Sequence, residues 1–518
     1  MKKRKKKTNQ DHSHSIMLKL IIFGLLFLMQ ITIFILVGRY IRDYAGFVLT
    51  IIPILEFFAF IYIFNDRSNP MYKLAWVFLI LSIPFFGIFI YLFATFDRKQ
   101  KEMIQRFSTL TNRYGPLYNK LADENVHREL SQRDSLAGLT SSYLKNTGDF
   151  PVFEAQGVVY HNDGSVHFED MLKELKKAQH FIFMEYFILV EGFMWDTILE
   201  ILKEKVKQGI EVRLLLDGMQ AFLNLPAEFK EEIESYGIKV RLFIPMRLTP
   251  SVYQNHRDHR KIMVIDGEVA YTGGLNIADE YINEKERFGY WKDTAVKIRG
   301  DAVDSFTLMF LEVWNVIGEG SMEERYLRRE KSSLAKEGFV IPYYDMPYDG
   351  EDKGKKVYLD IIHQARQYIH IMTPYFIIDY EILYSLCYAA KSGIDVKIIL
   401  PHIPDKPWVF YTSRTFYSEL LDAGAQVYEY LPGFLHAKSF VSDGNKAVVG
   451  TINMDYRSLY LQLECGAYFY DTAVSRELEA DFQETLTLSQ KITPEIVEAF
   501  PFHQRVIGRL MRLIGPLL

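Results

Sequence analysis

Cysteine is almost missing: Cys387 and Cys465 are the two thiols in 518 residues. Each stands alone among apolar or small neighbours, which excludes a disulfide framework and a thiolate metal site and leaves two buried free thiols. An excess of positive charge is missing too. With 60 Lys and Arg against 65 Asp and Glu the formal net charge is -5. Such a chain lacks the basic surface on which nucleic-acid binding depends, so no nucleic-acid partner is expected. Nor does the N-terminus read as a cleavable leader, which would have an apolar core of roughly 7–15 residues and a small-residue cleavage site.

What the chain has in abundance is apolar surface, 49% hydrophobic and 15% aromatic, and it is unevenly placed. After the basic opening MKKRKKK come three long apolar runs, Leu20–Val37, Phe47–Phe64 and Leu74–Phe96. Each approaches the about 20 residues that cross a hydrocarbon core, and the lysines before them read as a cytoplasmic anchor. Three crossings would carry the rest of the chain outside, whereas Arg98, Lys99, Lys101 and Arg106 favour the inside. Pro53 and Glu56 mark the second run as the one that could be re-entrant or interfacial. The expectation is a membrane anchor over residues 1–97 with two or three transmembrane helices, making a multi-pass protein of the cell membrane, and then a linker over 98–148.

From about Asp149 short apolar runs alternate with charged helical stretches and Gly turns, as in an α/β domain. The pattern then happens twice. FIFMEYF (Phe181–Phe187) matches IHIMTPYF (Ile369–Phe376), and KQGIEVRLLL (Lys207–Leu216) matches KSGIDVKIIL (Lys391–Leu400). GIKVRLFI (Gly237–Ile244) likewise matches GAQVYEY (Gly424–Tyr430). A repeat of this length predicts two duplicated α/β domains, 149–330 and 331–518, packed as a pseudo-dimer with the site at their interface. Met322–Lys336 between them is charged and helix-compatible, a linker or solvated helix without chemistry.

The repeat culminates in two H-x-K-x(4)-D motifs, His259, Lys261, Asp266 and His436, Lys438, Asp443, each followed by a Gly turn, an apolar strand and Gly-x-x-Asn ending at Asn276 or Asn453. On a strand, residues two apart share a face, so each His projects with its Lys toward one phosphate. The aspartates, at an odd offset, turn away and are expected to bond the turn or a neighbouring loop. A phosphodiester repels nucleophiles and gains charge during transfer; Lys261 and Lys438, with Asn276 and Asn453 as polar donors, supply the stabilisation. One imidazole can attack phosphorus while the other moves a proton onto the departing alcohol and off the incoming one. Neither a metal nor another cofactor is needed. Glu464, in LQLEC, and Asp293, after Trp291-Lys292, are candidates to orient the histidines.

These residues resemble the phospholipase D superfamily with its double HKD motif, from about Asp149 onward. The cardiolipin synthases fit best, by NHRDHRK (Asn255–Lys261), Gly273-Gly274-Leu275-Asn276-Ile277, Gly450-Thr451-Ile452-Asn453-Met454-Asp455 with Arg457-Ser458, Ala75-Trp76, Ile83-Pro84 and the closing Pro516-Leu517-Leu518. The resemblance implies a bacterial plasma-membrane enzyme working on phosphatidylglycerol. His259 forms a phosphatidyl-histidine and glycerol leaves; a second phosphatidylglycerol then takes the group to give cardiolipin, with His436 as acid and base. Water in place of the second lipid would give phosphatidic acid. The C-terminal stretch Arg505–Leu518, with Arg505, Arg509 and Arg512 among apolar residues, reads either as a helix lying on anionic lipid or as one packed on the core with solvated arginines.

Overall fold

The apolar runs of the repeat become strands, and each half uses them in the same order. In the first half Phe181–Tyr186, Glu211–Asp217 and Lys239–Phe243 are parallel neighbours, with Ile182 opposite Val212 and Leu214 opposite Val240. In the second, Tyr368–Met372, Asp395–Pro401 and Gln426–Tyr430 repeat the arrangement, with Ile369 opposite Val396 and Ile398 opposite Val427. Parallel neighbours require crossovers, and strands covered on both faces read as unbroken apolar runs. The helices Phe193–Lys207 and Tyr380–Lys391 make the first crossover of each half. The strands that follow the two motifs, Ile262–Ile265 and Ser439–Ser442, join antiparallel to Phe181–Tyr186 and Tyr368–Met372. Val269–Gly273 with Ala295–Arg299, and Lys446–Gly450 with Glu464–Tyr470, continue outward from them. Phe153–His161 and Lys336–Asp345 pair with each other, Phe153 opposite Val340, so that one 15-stranded sheet runs through both halves with mirrored strand order. The α/β class and the duplication are thus as expected.

The computed structural model describes residue 32 and residues 42–66, 68–83, 86–95, 98–246, 252–318, 324–328 and 330–517. Two compact units divide them: residues 1–98 with 248–253 and 513–518, and residues 99–247 with 254–512. The sheet belongs to the second. So do residues 99–148, where a linker is expected and three helices stand instead, Arg98–Leu121, Glu124–Arg133 and Ser135–Gly148. Their buried side chains include Phe107, Tyr114 and Leu144, and Thr111 and Thr140 donate to Glu312 (2.8 Å) and Asp360 (2.9 Å). Of the two readings of Met322–Lys336 the described part follows the linker, with one 3-10 turn, Glu324–Tyr326, before the strand at Lys336 begins. Buried Tyr326, which accepts from Arg213 at 2.6 Å, fastens it.

The multiple crossings expected of residues 1–97 are not found among the described residues of the first unit. Among the described residues no helix is long and apolar enough to cross a membrane. Leu20–Val37 lies, but for Thr32, outside the described residues, and Phe47–Phe64 falls within the helix Arg42–Asn65, which carries Pro53 and Glu56. Leu74–Phe96 is broken into helices of 13 and 10 residues, Pro70–Ser82 and Phe86–Thr95. At about 1.5 Å per residue each falls short of the roughly 30 Å of hydrocarbon. The sequence places Pro84, itself outside the described residues, just after Ile83, and a proline disfavours helix at the residue before it. The two short helices fold onto each other, the Trp76 and Tyr91 rings 5.1 Å apart. A Cβ at Gly87 would stand 2.6 Å from the Cα of Ile80, so only glycine allows that approach.

Asp266 and Asp443 end the strands that follow the motifs, in left-handed backbone (φ 56° and 54°). Asp266 accepts from the backbone N–H groups of Gln179, His180 and Phe181 at 2.7–2.8 Å, and Asp443 from those of Arg366, Gln367 and Tyr368 at 2.8–3.0 Å. Each bonds the loop that leads into a neighbouring strand, as their odd offset predicts, and so sets the register between the two. Asp266→Ala or Asp443→Ala should lower unfolding free energy by about 3 kcal/mol, the worth of charge-assisted bonds to three N–H donors lost together. An unchanged midpoint in chemical denaturation would contradict this role.

Candidate active site

The two histidines sit on extended segments just before their strands, not within them, and each segment is stitched to the opposite half. The His259 N–H donates to the Leu463 carbonyl (2.9 Å), and the Leu463 N–H returns to Arg257 (2.8 Å). The His436 N–H donates to the Lys292 carbonyl (2.7 Å), and Gly433–Leu435 pairs in parallel with Tyr290–Lys292. The exchange puts the carboxylate of one half beneath the imidazole of the other. His259 Nδ1 lies 2.9 and 3.0 Å from the two oxygens of Glu464, and His436 Nδ1 lies 2.6 Å from Asp293 Oδ2. A carboxylate on Nδ1 leaves Nε2 as the reacting nitrogen.

Both lysines share the buried site. Lys438 Nζ is 3.0 Å from each nitrogen of the His436 ring and 2.5 Å from its carbonyl oxygen; Lys261 Nζ donates to the His259 carbonyl. His259 and His436 are 7% and 6% exposed, and Glu464 and Asp293 are fully enclosed. Burial dominates the titration of the whole group. Loss of solvent, reinforced by Lys261, Lys438 and His436, holds His259 well below the usual histidine range. Burial, with Lys438 beside it and Asp293 opposing, brings His436 down to about 4. Lys261 falls to about 8 and Lys438 to about 7, again by burial, while burial raises Glu464 to about 8 against the pull of Lys261. The crossed backbone bonds and carboxylate contacts bring the two motifs together, in keeping with the pull of Lys438 and His436 on His259.

The asparagines are placed differently from one another. Asn276 Oδ1 accepts from the Ile188 N–H (2.9 Å) and its amide donates to the Tyr281 hydroxyl (2.8 Å), so it braces the loops under the site. Asn453 Oδ1 is buried without a hydrogen-bond partner among the described residues. Sequence reasoning missed the aromatic walls: Phe187 lies 4.8 Å from the His259 ring, and Trp291 and Tyr281 lie 5.3 and 5.4 Å from His436. It also missed Thr451, whose hydroxyl donates to Glu464, and Arg260, fully buried on Glu185 at 2.7 Å. Thr451 and its counterpart Gly274 occupy the position after the motif glycine in each Gly-x-x-Asn, a signal that was present. At Gly274 a Cβ would stand 1.9 Å from Asp293 Oδ1, so the side chain is missing where the carboxylate passes.

Two basic, two acidic and two imidazole groups, desolvated together, suit a group transfer in which charge develops on phosphoryl oxygens. Among the described residues no cluster of side chains could hold a metal ion.

Comparison with known proteins agrees with this geometry. The family described as cardiolipin synthase, PLD-like domain, matches residues 171–301 and again 358–486, and the family described as phospholipase D-nuclease N-terminal matches 54–94. The chain is similar to "Cardiolipin synthase 2" of Bacillus cereus, 36% identical over 88% of each chain. It is 36% identical to "Cardiolipin synthase" of Alkalihalophilus pseudofirmus over 88% of this chain and 91% of that one. The crystal structure of phosphatidylserine synthase from Haemophilus influenzae superposes on 73% of this chain and 100% of its own, with a TM-score of 0.58 at 16% identity, a likeness of fold. By its doubled domain, its two HKD motifs and these relatives, the chain belongs to the cardiolipin synthase family of PLD-like proteins.

Proposed function

We propose that the protein is a phosphatidyltransferase that makes cardiolipin and glycerol from two molecules of phosphatidylglycerol. The observation that carries this reading is the pair of imidazoles, each oriented by a carboxylate of the opposite half, in one enclosed site with two ammonium groups. His259 Nε2 attacks phosphorus while Glu464 holds its Nδ1; the bond from phosphorus to the glycerol oxygen breaks, and His436 gives that oxygen a proton. In the second step the terminal hydroxyl of another phosphatidylglycerol yields its proton to His436 and attacks phosphorus, and the bond to His259 breaks. The residues return to their starting states. Lys261 and Lys438 meet the charge that grows on the phosphoryl oxygens, and Asn453 is the motif amide left for the same purpose.

His436, at about 4 in the empty site, has to be protonated to act as the first acid. The entering phosphodiester brings one negative charge into a solvent-poor enclosure, which raises the imidazole and draws in the proton it will transfer.

A bilayer substrate also accords with the exposed surface. The helix Arg42–Asn65 shows Phe57, Phe58 and Phe64 at 59–67% exposure, and the short helices show Leu74 and Leu81. Apolar side chains in such number mark a surface that meets lipid or protein. The C-terminal helix Phe502–Ile514 follows neither sequence alternative cleanly. Arg512 turns inward, 2.7 Å from Glu419 and over the Phe416 ring, while Leu510 and Leu513 look out beside exposed Arg505 and Arg509. We read each surface, taken by itself, as one suited to an anionic bilayer, which makes the protein membrane-associated.

Incubated with phosphatidylglycerol, the purified protein should release glycerol and cardiolipin in equal amounts; phosphatidic acid as the sole lipid product would replace this reading with a hydrolase. His259→Ala and His436→Ala should each lower turnover by about 10³-fold, and Glu464→Gln and Asp293→Asn by about 10²-fold, as general acid–base and nucleophilic roles require. Near-normal turnover in either alanine variant would rule out a shared centre. The charged lysines bind phosphate and His436 reacts protonated, so kcat/KM should decline above about 4 as His436 gives up its proton, with a second, steeper limb as Lys438 and then Lys261, at about 7 and about 8, lose theirs. Lys438→Arg, charged throughout, should carry that second limb to higher pH; an unmoved limb would exclude Lys438 as its source.

A further inference from the structure

The mirror relation between the halves fails at one corner of the site. After the second Gly-x-x-Asn stand Asp455 and Arg457, where the first half has Ala278 and Glu280. Glu280 is paired with Arg287 at 2.8 Å. Arg457 has no equivalent arrangement: its Nε is closed off from solvent without a hydrogen-bond partner, and its guanidinium makes no ion pair among the described residues. Burial depresses its pKa, with Arg257 adding to the effect and Asp455 opposing it. The nearby Asp455 is occupied elsewhere, its Oδ1 accepting from the Ser458 N–H at 3.0 Å. A half-buried guanidinium whose Nε is cut off from water and left unmatched is unfavourable, and an arriving anion would correct it.

A second cation stands close by. Lys406, in the loop between the strand Asp395–Pro401 and the helix Pro407–Arg414, is half exposed and donates to the Tyr375 hydroxyl at 3.0 Å; that hydroxyl donates in turn to Asp405. Tyr375 takes the place in the repeat that Ile188 holds in the first half, next to Phe187 beside His259. It immediately precedes the strand Phe376–Ile377, which pairs in parallel with Met454–Asp455, and it lies within electrostatic reach of Arg457. Lys406 is within electrostatic reach of both Asp455 and His259. In the first half the strand Glu211–Asp217 runs straight into the helix Gly218–Asn224, GMQAFLN, which has no basic residue. Tyr375, Asp405 and Lys406 also line a shallow cleft whose apolar wall includes Phe434, 5.8 Å from the His436 ring.

A transfer between two phospholipids brings two phosphodiesters together. Lys261 and Lys438 serve the one whose bond is broken, and the other needs its own counter-charge. Building on the transferase reading above, we propose that Arg457 and Lys406 form a second anion site, which holds the phosphodiester of the acceptor lipid while its terminal hydroxyl reaches the histidine-bound phosphorus. The donor and acceptor sites then differ because the two halves differ here.

Two reactions share the donor step and part at the acceptor: cardiolipin formation, whose acceptor carries a phosphate, and exchange of labelled glycerol into phosphatidylglycerol, whose acceptor has none. Arg457→Gln and Lys406→Gln should each lower the ratio of cardiolipin formation to glycerol exchange by about tenfold at sub-saturating lipid, as loss of a charge-assisted contact to phosphate requires, with Arg457→Lys recovering part of it. A ratio within about threefold of the unaltered protein in both glutamine variants, whether both reactions persist or both decline in step, would overturn the proposal. Lys406 lies on an exposed loop, so its variant does not put folding at stake. Absence of cardiolipin from the unaltered protein would instead defeat the transferase reading itself.

Discussion

Each catalytic imidazole is held by a carboxylate that belongs to the other half of the chain, and most of the architecture around the site follows from that exchange. For Glu464 to meet His259 and Asp293 to meet His436, the strands carrying the carboxylates must lie against the segments carrying the histidines of the opposite copy. The parallel ladder of Gly433–Leu435 with Tyr290–Lys292, and the bonds between Arg257, His259 and Leu463, fix that placement in the backbone. The central pairing of Phe153–His161 with Lys336–Asp345 makes the two halves one sheet and keeps the exchange in register. Imidazoles so deeply enclosed are tolerable because each has a carboxylate partner on Nδ1, which leaves Nε2 as the reacting position, beside Lys438 in the case of His436.

The energetics of the centre come from scarcity of water. Two lysines brought down to about 7 and about 8 and two histidines kept neutral describe an empty site that is reluctant to hold net charge. A phosphodiester changes the balance and stabilises the ammonium forms it needs. The same contrast runs through the buried Arg260–Glu185 pair beneath the first motif, which the second half replaces with Ala437 and Met372.

Local signals in the sequence revealed the repeated strands, the doubled motif and the turning away of its aspartates, since spacing and alternation over a few residues determine them. Glu464 and Asp293 were recognisable as candidates, yet their crossed pairing was not, because the partners are 205 and 143 residues apart and only the sheet brings them together. Hydropathy counts residues without seeing folds, so Leu74–Phe96 read as one crossing although Gly87 and the break after Ser82 make it a hairpin. The helices before Gly148 were hidden for the opposite reason: their outward charges masked a buried stripe of Phe107, Tyr114 and Leu117. Arg457 stood in plain sight within the second motif region, but whether a guanidinium is matched can be read only from its surroundings.

Gly274 and Thr451 show that the copies are not spare parts for one another. An aspartate with an empty place beside it in one half, and a longer glutamate steadied by a hydroxyl in the other, are matched sets of two. Grafting threonine into the first set would strike the Asp293 carboxylate, and shortening Glu464 would withdraw it from both His259 and Thr451. Exchange between the copies, by recombination or by a designer who treats them as equivalent, therefore succeeds only when both members of a set move together.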